Sequence, residues 1–343
     1  MRFLERVTMS KKRIAINGFG RIGRTCLRVL LRDKKSVEQI DVVAINIGPS
    51  DPEKIALLFK YDSIMGTYEK LVSFEDGILK VDGCRIKILT EKDPAKLPWK
   101  DLNIDAVIES SGLFRTKETA SLHITAGAKK VLITAPAKGE DVTIIPGVND
   151  EAYKKDEHHI ISLGSCTTNC FAPMVKVIKE NFGLEHGLMT TIHAYTNDQV
   201  LLDVEHKDPR RARAAALNII PTKTGAGDVI IKLFPELEGK LTATAIRVPI
   251  PVASIVDFSF QTEKEISREK INEAFKASAD GQLKNILQFV TEPLVSTDFV
   301  GSPYSCSIDS LLTQTAGNLG KIFGWYDNEY GYSCRVRDFL LHI

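Results

Sequence analysis

Residues 13–24 read RIAINGFGRIGR. An apolar run through Ile14 and Ile16 meets three glycines at the spacing Gly18-x-Gly20-x-x-Gly23, and RTCLRVLLR (24–32) continues with helical periodicity. Three glycines alone are a weak signal. The strand before them and the helix after them supply the context that their mechanics require. Such glycines let the backbone approach a pyrophosphate, and a helix opening near Arg21 turns unpaired N–H groups toward the anion. Gly18, Gly20 and Gly23 are therefore expected to hold a dinucleotide.

Outward from this turn, strand-like and helix-like segments alternate to about residue 165: DVVAIN (41–46) with DPEKIALLFKYD, DAVIESSG (105–112) with TKETASLHITAG, then KKVLITAP (129–136) and HHIISLGS (158–165). That alternation predicts an α/β, Rossmann-type, doubly wound parallel sheet. KLVSFEDGILKVDGCRIKIL (70–89) alternates apolar residues around two Asp-Gly turns and reads as an antiparallel ribbon inserted in the sheet. After residue 166 the pattern changes to a helix (APMVKVIKENFG), an apolar strand (LMTTIHAYT, 188–196) and an arginine-rich stretch (HKDPRRARAAALN, 206–218). One long strand-like region (243–262), a helix (268–281) ending on Gly281 and a last strand (317–328) follow. The expected division is a dinucleotide-binding domain at 12–165, completed by a C-terminal helix at 330–343. A second, α+β catalytic domain at 166–329 carries a mixed, largely antiparallel sheet. Residues 1–11 form an N-terminal extension, with 1–8 an extended start ahead of Met9 that has no structural role.

With 45 Lys+Arg against 44 Asp+Glu, the charge balance offers nothing to nucleic acid or a membrane surface. MRFLERVTMSKK lacks the apolar core of a signal peptide, and no apolar run approaches the ~20 residues of a membrane helix. The six cysteines are scattered rather than framed for disulfides, which points to a reducing cytoplasm.

The reactive candidates lie further on. In SLGSCTTNCFAP (162–173), Cys166 follows a strand and precedes an apolar helix, so its sulfur is expected at a helix N-terminus, where a thiol pKa falls below its ordinary ~8.5. Cys166 and Cys170, four apart, would otherwise be two buried small residues on one helix face. Neither has a His or Cys at metal-ligand spacing, and no metal is expected. His193, at the end of the strand in TIHAYTNDQ (191–199), is placed to meet Cys166 as a thiolate–imidazolium pair, among polar groups suited to a charged substrate.

GFGRIGR (18–24), KYDS (60–63), SCTTNC (165–170), HAYTNDQ (193–199), RRARAAALNIIP (210–221), TGA (224–226), RVP (247–249) and WYDNEYGYS (325–333) stand in one order and spacing. In this the chain resembles phosphorylating glyceraldehyde-3-phosphate dehydrogenase from about residue 12 to 338. The resemblance implies that Cys166 attacks the aldehyde of glyceraldehyde 3-phosphate, with His193 as base. A hemithioacetal and then a thioester form, hydride passes to a nicotinamide dinucleotide, and inorganic phosphate releases 1,3-bisphosphoglycerate. It assigns Thr196, Asp198 and Arg247 to the substrate phosphate and Ser165, Thr167, Thr224 and Gly225 to the attacking phosphate. Arg21, Ile22, Ser111, Gly112 and Thr134 line the pyrophosphate and its sugars, Asn328 bonds the carboxamide, and Tyr332 packs beside the ring. Arg210 and Arg213 shape a loop at the subunit and cofactor interface. A homotetramer is implied, because the loop around 195–220 rests on a neighbouring subunit.

The departures from the family concern the cofactor. The second strand of NAD-specific members ends on Asn-Asp, whose acid holds the ribose 2'-hydroxyl; here it ends on Asn46-Ile47, leaving Asn46 as the candidate at that strand end. Loss of the carboxylate removes a hydrogen bond and also a repulsion against a 2'-phosphate, so NADP becomes open beside NAD. Val204-Glu205 replaces a common Leu-Pro before HKD. Lys223, Asp228, Leu163 and Tyr330 also differ from common family residues without removing a catalytic group. Two other readings stand: an erythrose-4-phosphate dehydrogenase of the same fold, in which water cleaves the thioester, and a dinucleotide-binding regulator or adhesin with a non-catalytic role.

Overall fold

The computed structural model describes residues 10–343. The extended start at 1–8 lies outside the described residues, and of the N-terminal extension only positions 10 and 11 are described.

Nine strands build the first sheet: β1 (Lys12–Asn17), β2 (Ile40–Asn46), β3 (Val72–Glu75), β4 (Ile78–Val81), β5 (Cys84–Leu89), β6 (Ala106–Glu109), β7 (Lys130–Ile133), β8 (Val142–Thr143) and β9 (Ile160–Ser162). Their order is β3-β4-β5-β2-β1-β6-β7-β9-β8. Pairing is parallel from β5 to β8, whereas β3, β4 and β5 form an antiparallel ribbon. The two ribbon turns are Asp76-Gly77 and Asp82-Gly83, all four residues at positive φ, as a two-residue hairpin turn of matching twist requires. The helices α1 (Arg21–Arg32), α2 (Lys34–Gln39), α3 (Ile55–Lys60) and α4 (Lys117–Thr125) connect these strands. Both faces of the sheet are covered. Ile14 and Ile16 of β1 meet Cys26, Leu27 and Leu30 of α1, and Ala15 points the other way into a cluster with Ala44, Val107 and Trp99. Strands buried on both faces read as continuous apolar runs, which is why they were visible in the sequence.

The chain order reverses between β1 and β6, and at such a switch point the loops part to leave a crevice at the strand carboxyl ends. Packing there is close. Gly18 has φ +91, and a Cβ on it would lie 2.4 Å from the Ser111 N; a Cβ on Gly23 would lie 2.2 Å from the Gly18 O. Gly20 has open space around it.

The second sheet holds β10 (Leu184–Ala194), β11 (Ile220–Lys223), β12 (Leu241–Val248), β13 (Ser254–Thr262), β14 (Leu287–Val290), β15 (Cys306–Asp309), β16 (Gln314–Ala316) and β17 (Leu319–Tyr326), with order β11-β12-β10-β13-β17-β15-β14 and β16 on β17. Only β10–β12 and β14–β15 are parallel. The region 243–262 is two strands rather than one: Pro249 and Pro251 interrupt it, and β10 inserts between the halves, parallel to β12 and antiparallel to β13. Proline cannot donate to a ladder, so the break falls where the chain must leave one edge of β10 and return on the other. The helices are α5 (Cys166–Phe182), α6 (Ala226–Leu233), α7 (Arg268–Asp280) and α8 (Tyr330–His342). Phe171, Met174 and Ile178 of α5 pack on Val256, Phe258 and Ile322, while Val336, Phe339 and Leu340 of α8 return to the core of the first sheet beside Leu27 and Leu30.

The glycine contacts separate structure from ligand access. Gly23→Ala is expected to destabilise the chain by roughly 1–3 kcal/mol through overpacking against the Gly18 carbonyl. Gly20→Ala, whose methyl enters open space, should leave the denaturation midpoint unchanged and weaken dinucleotide binding; paired urea melts and dinucleotide titrations check both.

Candidate active site

A cleft of about 500 Å³ opens at the switch point and runs to the start of α5. Gly20, Arg21, Ile22, Ser111, Gly112 and Thr134 line one end, and Ser165, Cys166, Asn328 and Tyr332 the other. Gly20 caps α1 without a side-chain hydrogen bond, so the first-turn N–H groups of α1 have no side-chain acceptor. The open space at Gly20 and these donors fit a pyrophosphate. The Arg21 guanidinium is engaged elsewhere: it donates to Glu329 Oε1 at 2.9 Å and Oε2 at 2.5 Å, and also to Asp62. Arg21 thereby ties the α1 turn to the segment that carries Asn328. Asn328 Oδ1 accepts from Ser254 Oγ at 3.2 Å, and the Tyr332 hydroxyl donates to Gly164 O at 3.1 Å.

At the far strand end Asn46 is buried, and its amide is used within the protein. Nδ2 donates to Asn17 Oδ1 at 2.7 Å and Glu91 O at 2.9 Å, and Oδ1 accepts from Glu91 N at 2.9 Å. Ile47 is half-buried against the core of the first sheet. Lys54 forms an exposed ion pair with Asp51 at 3.2 Å, and Asp51 Oδ1 accepts from Glu53 N.

Cys166 is the first residue of α5 and packs between the cores of the two sheets. Ser165 caps the helix, its hydroxyl accepting from Thr168 N at 3.1 Å, an arrangement worth about 1 kcal/mol. His193, one residue from the end of β10, places Nε2 at 3.4 Å from Cys166 Sγ. Burial pushes the Cys166 thiol up, against the pull of Arg247 and the Thr167 hydrogen bonds. Burial and then the Arg247 charge push His193 down to about 3, against its bond to Ala194 O. The helix start favours a thiolate, while desolvation opposes the charged form of each group.

The structure distributes the anion candidates. Thr196 and Asp198 line the cleft. Arg247, at the end of β12, is in register with His193 across the parallel β10–β12 ladder. The Thr167 hydroxyl bonds the Tyr326 hydroxyl at 3.0 Å, and Thr224 and Gly225 sit at the start of α6. Arg210 and Arg213 are exposed, the latter bonded to Asp203. Their neighbour Arg211, which the sequence reading passed over, is half-buried. It bonds Asp198, Thr222 Oγ1 at 2.9 Å and Lys223 O at 3.0 Å. Three arginines in four positions gave no signal to choose between them. Tyr326 was also missed: its hydroxyl bridges Thr167 and Thr191, 2.8 Å from the latter, beneath the His193 ring. Among the described residues no cluster of His, Cys, Asp and Glu could hold a metal, and all six cysteines are free.

Comparison with known proteins bears on this cleft directly. Residues 12–117 match the NAD binding domain of glyceraldehyde 3-phosphate dehydrogenases, and residues 165–328 match the C-terminal domain of the same family. The glyceraldehyde-3-phosphate dehydrogenase of Streptomyces coelicolor is 51% identical over 333 residues, 96% of this chain and 98% of its own. Glyceraldehyde-3-phosphate dehydrogenase 2 of Bacillus subtilis is 49% identical over 97% of each chain, and the Geobacillus stearothermophilus enzyme is 49% identical over 96% of this chain and 98% of its own.

Arg211→Leu should leave the Asp198 carboxylate in the cleft with only His206 Nε2, 3.8 Å away, beside it. The inorganic phosphate concentration that half-protects Cys166 from iodoacetamide is then expected to rise about tenfold, some 1.4 kcal/mol. An unchanged concentration would make Arg211 a brace for its loop and nothing more.

Proposed function

The chain belongs to the glyceraldehyde-3-phosphate dehydrogenase family, and from that premise we propose that it converts D-glyceraldehyde 3-phosphate and inorganic phosphate to 1,3-bisphosphoglycerate. The observation that carries the reading is the 3.4 Å approach of Cys166 Sγ to His193 Nε2 at the end of a cleft whose other end is the open glycine turn. In this reading residues 12–165 with 330–343 hold the cofactor and 166–329 perform the chemistry, supported by the return of α8 to the first core.

The dinucleotide, when bound, supplies the hydride acceptor. Gly18, Gly20, Ile22 and Gly23 offer backbone to its pyrophosphate, Ser111, Gly112 and Thr134 face its sugars, and Asn328 and Tyr332 flank the nicotinamide. Cys166 Sγ bonds to the aldehyde carbon, and the thiol proton passes through His193 Nε2 to the carbonyl oxygen, giving the hemithioacetal. His193 then takes the hydroxyl proton as the C–H bond breaks, leaving the thioester. Arg247, Thr196 and Asp198 hold the substrate phosphate, with Arg211 keeping the Asp198 carboxylate paired. Ser165, Thr167, Thr224 and Gly225 belong to the region where phosphate attacks the thioester carbon, the C–S bond breaks and Cys166 regains its proton.

Either dinucleotide meets little discrimination at the adenosine end: Ile47 neither accepts from a 2'-hydroxyl nor repels a 2'-phosphate, and Lys54 is paired with Asp51. NAD is the preferred cofactor, and NADP is accepted. Leu201, Leu202, Leu217 and Ile219 expose a broad apolar surface on the loop after β10, which suits a second copy of the chain and supports a homotetramer. No helix among the described residues is long and apolar enough to cross a membrane.

Cys166→Ser should abolish dinucleotide reduction, and His193→Asn should slow acylation by roughly 10²–10⁴ with the fold intact. Turnover should require inorganic phosphate; turnover without it on erythrose 4-phosphate would transfer the chain to the hydrolytic relative, and no turnover on either aldehyde would favour the binding-protein reading. The ratio of kcat/KM for NAD to that for NADP is expected within about tenfold. A thousandfold preference for NAD would show that some other group rejects the 2'-phosphate.

A further inference from the structure

The turn that delivers Cys166 has its carbonyls held one by one. Asn169, buried on the first turn of α5, donates from Nδ2 to Leu163 O and to Ser165 O, each at 2.9 Å. Both partners only accept, so the two hydrogens of one amide nitrogen are spent on the carbonyls either side of Gly164. The Gly164 carbonyl between them accepts from the Tyr332 hydroxyl at 3.1 Å. Asn169 Oδ1, by contrast, is buried with no partner. An unpaired buried acceptor lowers stability, so packing alone does not account for an amide at this position.

Each carbonyl fixes the N–H that follows it. In a trans peptide the C=O and the N–H point in opposite directions, so the hold on Ser165 O sets the direction of the Cys166 N–H. That N–H belongs to the first turn of α5, where helical donors lack intrahelical partners. Thr168 N is satisfied by Ser165 Oγ at 3.1 Å and Asn169 N by Ser165 O at 3.0 Å, whereas no oxygen among the described residues accepts from Cys166 N or Thr167 N. Helix ends fray, and Gly164, at φ +63, is the residue type with most freedom to follow. The Asn169 side chain doubles the terminal backbone bond and ties it across the glycine to Leu163.

We propose that Asn169 is a positioning residue that aims the Cys166 N–H at the oxygen of the bound aldehyde. As Sγ bonds to the carbonyl carbon, the π pair of the C=O moves onto oxygen, and the N–H donates to that anion until a proton arrives through His193 Nε2. The same donor meets the oxygen again when phosphate adds to the thioester, and the C–S bond breaks as the C=O reforms. A donor fixed before the charge develops needs no reorganisation when it does. This rests on the reading that Cys166 is acylated by the aldehyde.

The test compares two reactions of one sulfur on the full chain. Alkylation of Cys166 by iodoacetamide displaces iodide and forms no oxyanion, whereas acylation passes through one. In Asn169→Leu, single-turnover dinucleotide reduction with glyceraldehyde 3-phosphate should slow by roughly ten- to a hundredfold, short of the 10²–10³ that outright removal of such a donor costs. The iodoacetamide rate and the dinucleotide Kd should be those of the wild type. Acylation and alkylation falling together would make Asn169 a brace for the sulfur and overturn the proposal, as would an unchanged acylation rate. A second measurement needs no variant. Acyl-enzyme formed without inorganic phosphate, from glyceraldehyde 3-phosphate labelled with ¹³C at the aldehyde carbon, should show its thioester C=O stretch at lower frequency than the same thioester on the urea-unfolded chain. An unshifted stretch means that no fixed donor meets the oxygen, and the proposal falls. Absence of any acylation of the wild type, with iodoacetamide still reacting, would instead defeat the functional reading.

Discussion

Beneath the cleft lies a buried carboxylate on which its shape depends. Glu109, at the end of β6, is 2% exposed, and an ion so placed costs several kcal/mol unless its oxygens are filled. Here they are filled by Asn17 Nδ2 at 2.5 Å, His123 Nε2 at 3.0 Å, Ser111 N at 2.8 Å and Ser111 Oγ at 2.5 Å. Trp99 Nε1 donates to His123 Nδ1 at 3.0 Å, which fixes Nε2 as the nitrogen that carries the proton toward Glu109. Asn46 bonds Asn17 and carries the network on to Glu91. The ends of β6, β1 and β2 and the helix α4 are thus stitched together by side chains. The network holds Ser111 against the glycine turn, where no Cβ on Gly18 would fit.

Upon that floor several of the joints between the two sheets belong to the cleft. The chain passes from β9 to α5 through Gly164, at φ +63, and delivers Cys166 between both hydrophobic cores. Tyr332, from α8, closes on Gly164 O, and Glu329 at the start of the same helix holds Arg21. The last helix therefore serves both sheets: it completes the first core and carries the residues that fix the α1 turn relative to Asn328. The reactive sulfur sits where it does because the segments on either side of it are each pinned to a different core.

Chemistry in this cleft follows from a contest between desolvation and local charge. The N-terminus of α5 favours an anion at Cys166, but the imidazole is buried and the thiol half-buried, and loss of water penalises both charged forms. Arg247 acts on the two in the same sense, favouring thiolate and disfavouring imidazolium.

The sequence by itself determined whatever depends on local backbone rules. The glycine turn, the Asp-Gly ribbon, the buried parallel strands, and Cys166 and His193 on their elements were legible because each is written in consecutive residues or a short period. Tertiary structure alone decided the rest. It split 243–262 around β10, which brought Arg247 into register with His193 from 54 residues away. It chose Arg211 over its neighbours, turned Thr167 to Tyr326, and committed the Asn46 amide to the floor of the cleft. Register and burial are sums over distant segments, and no spacing along a chain records how much water a side chain will lose.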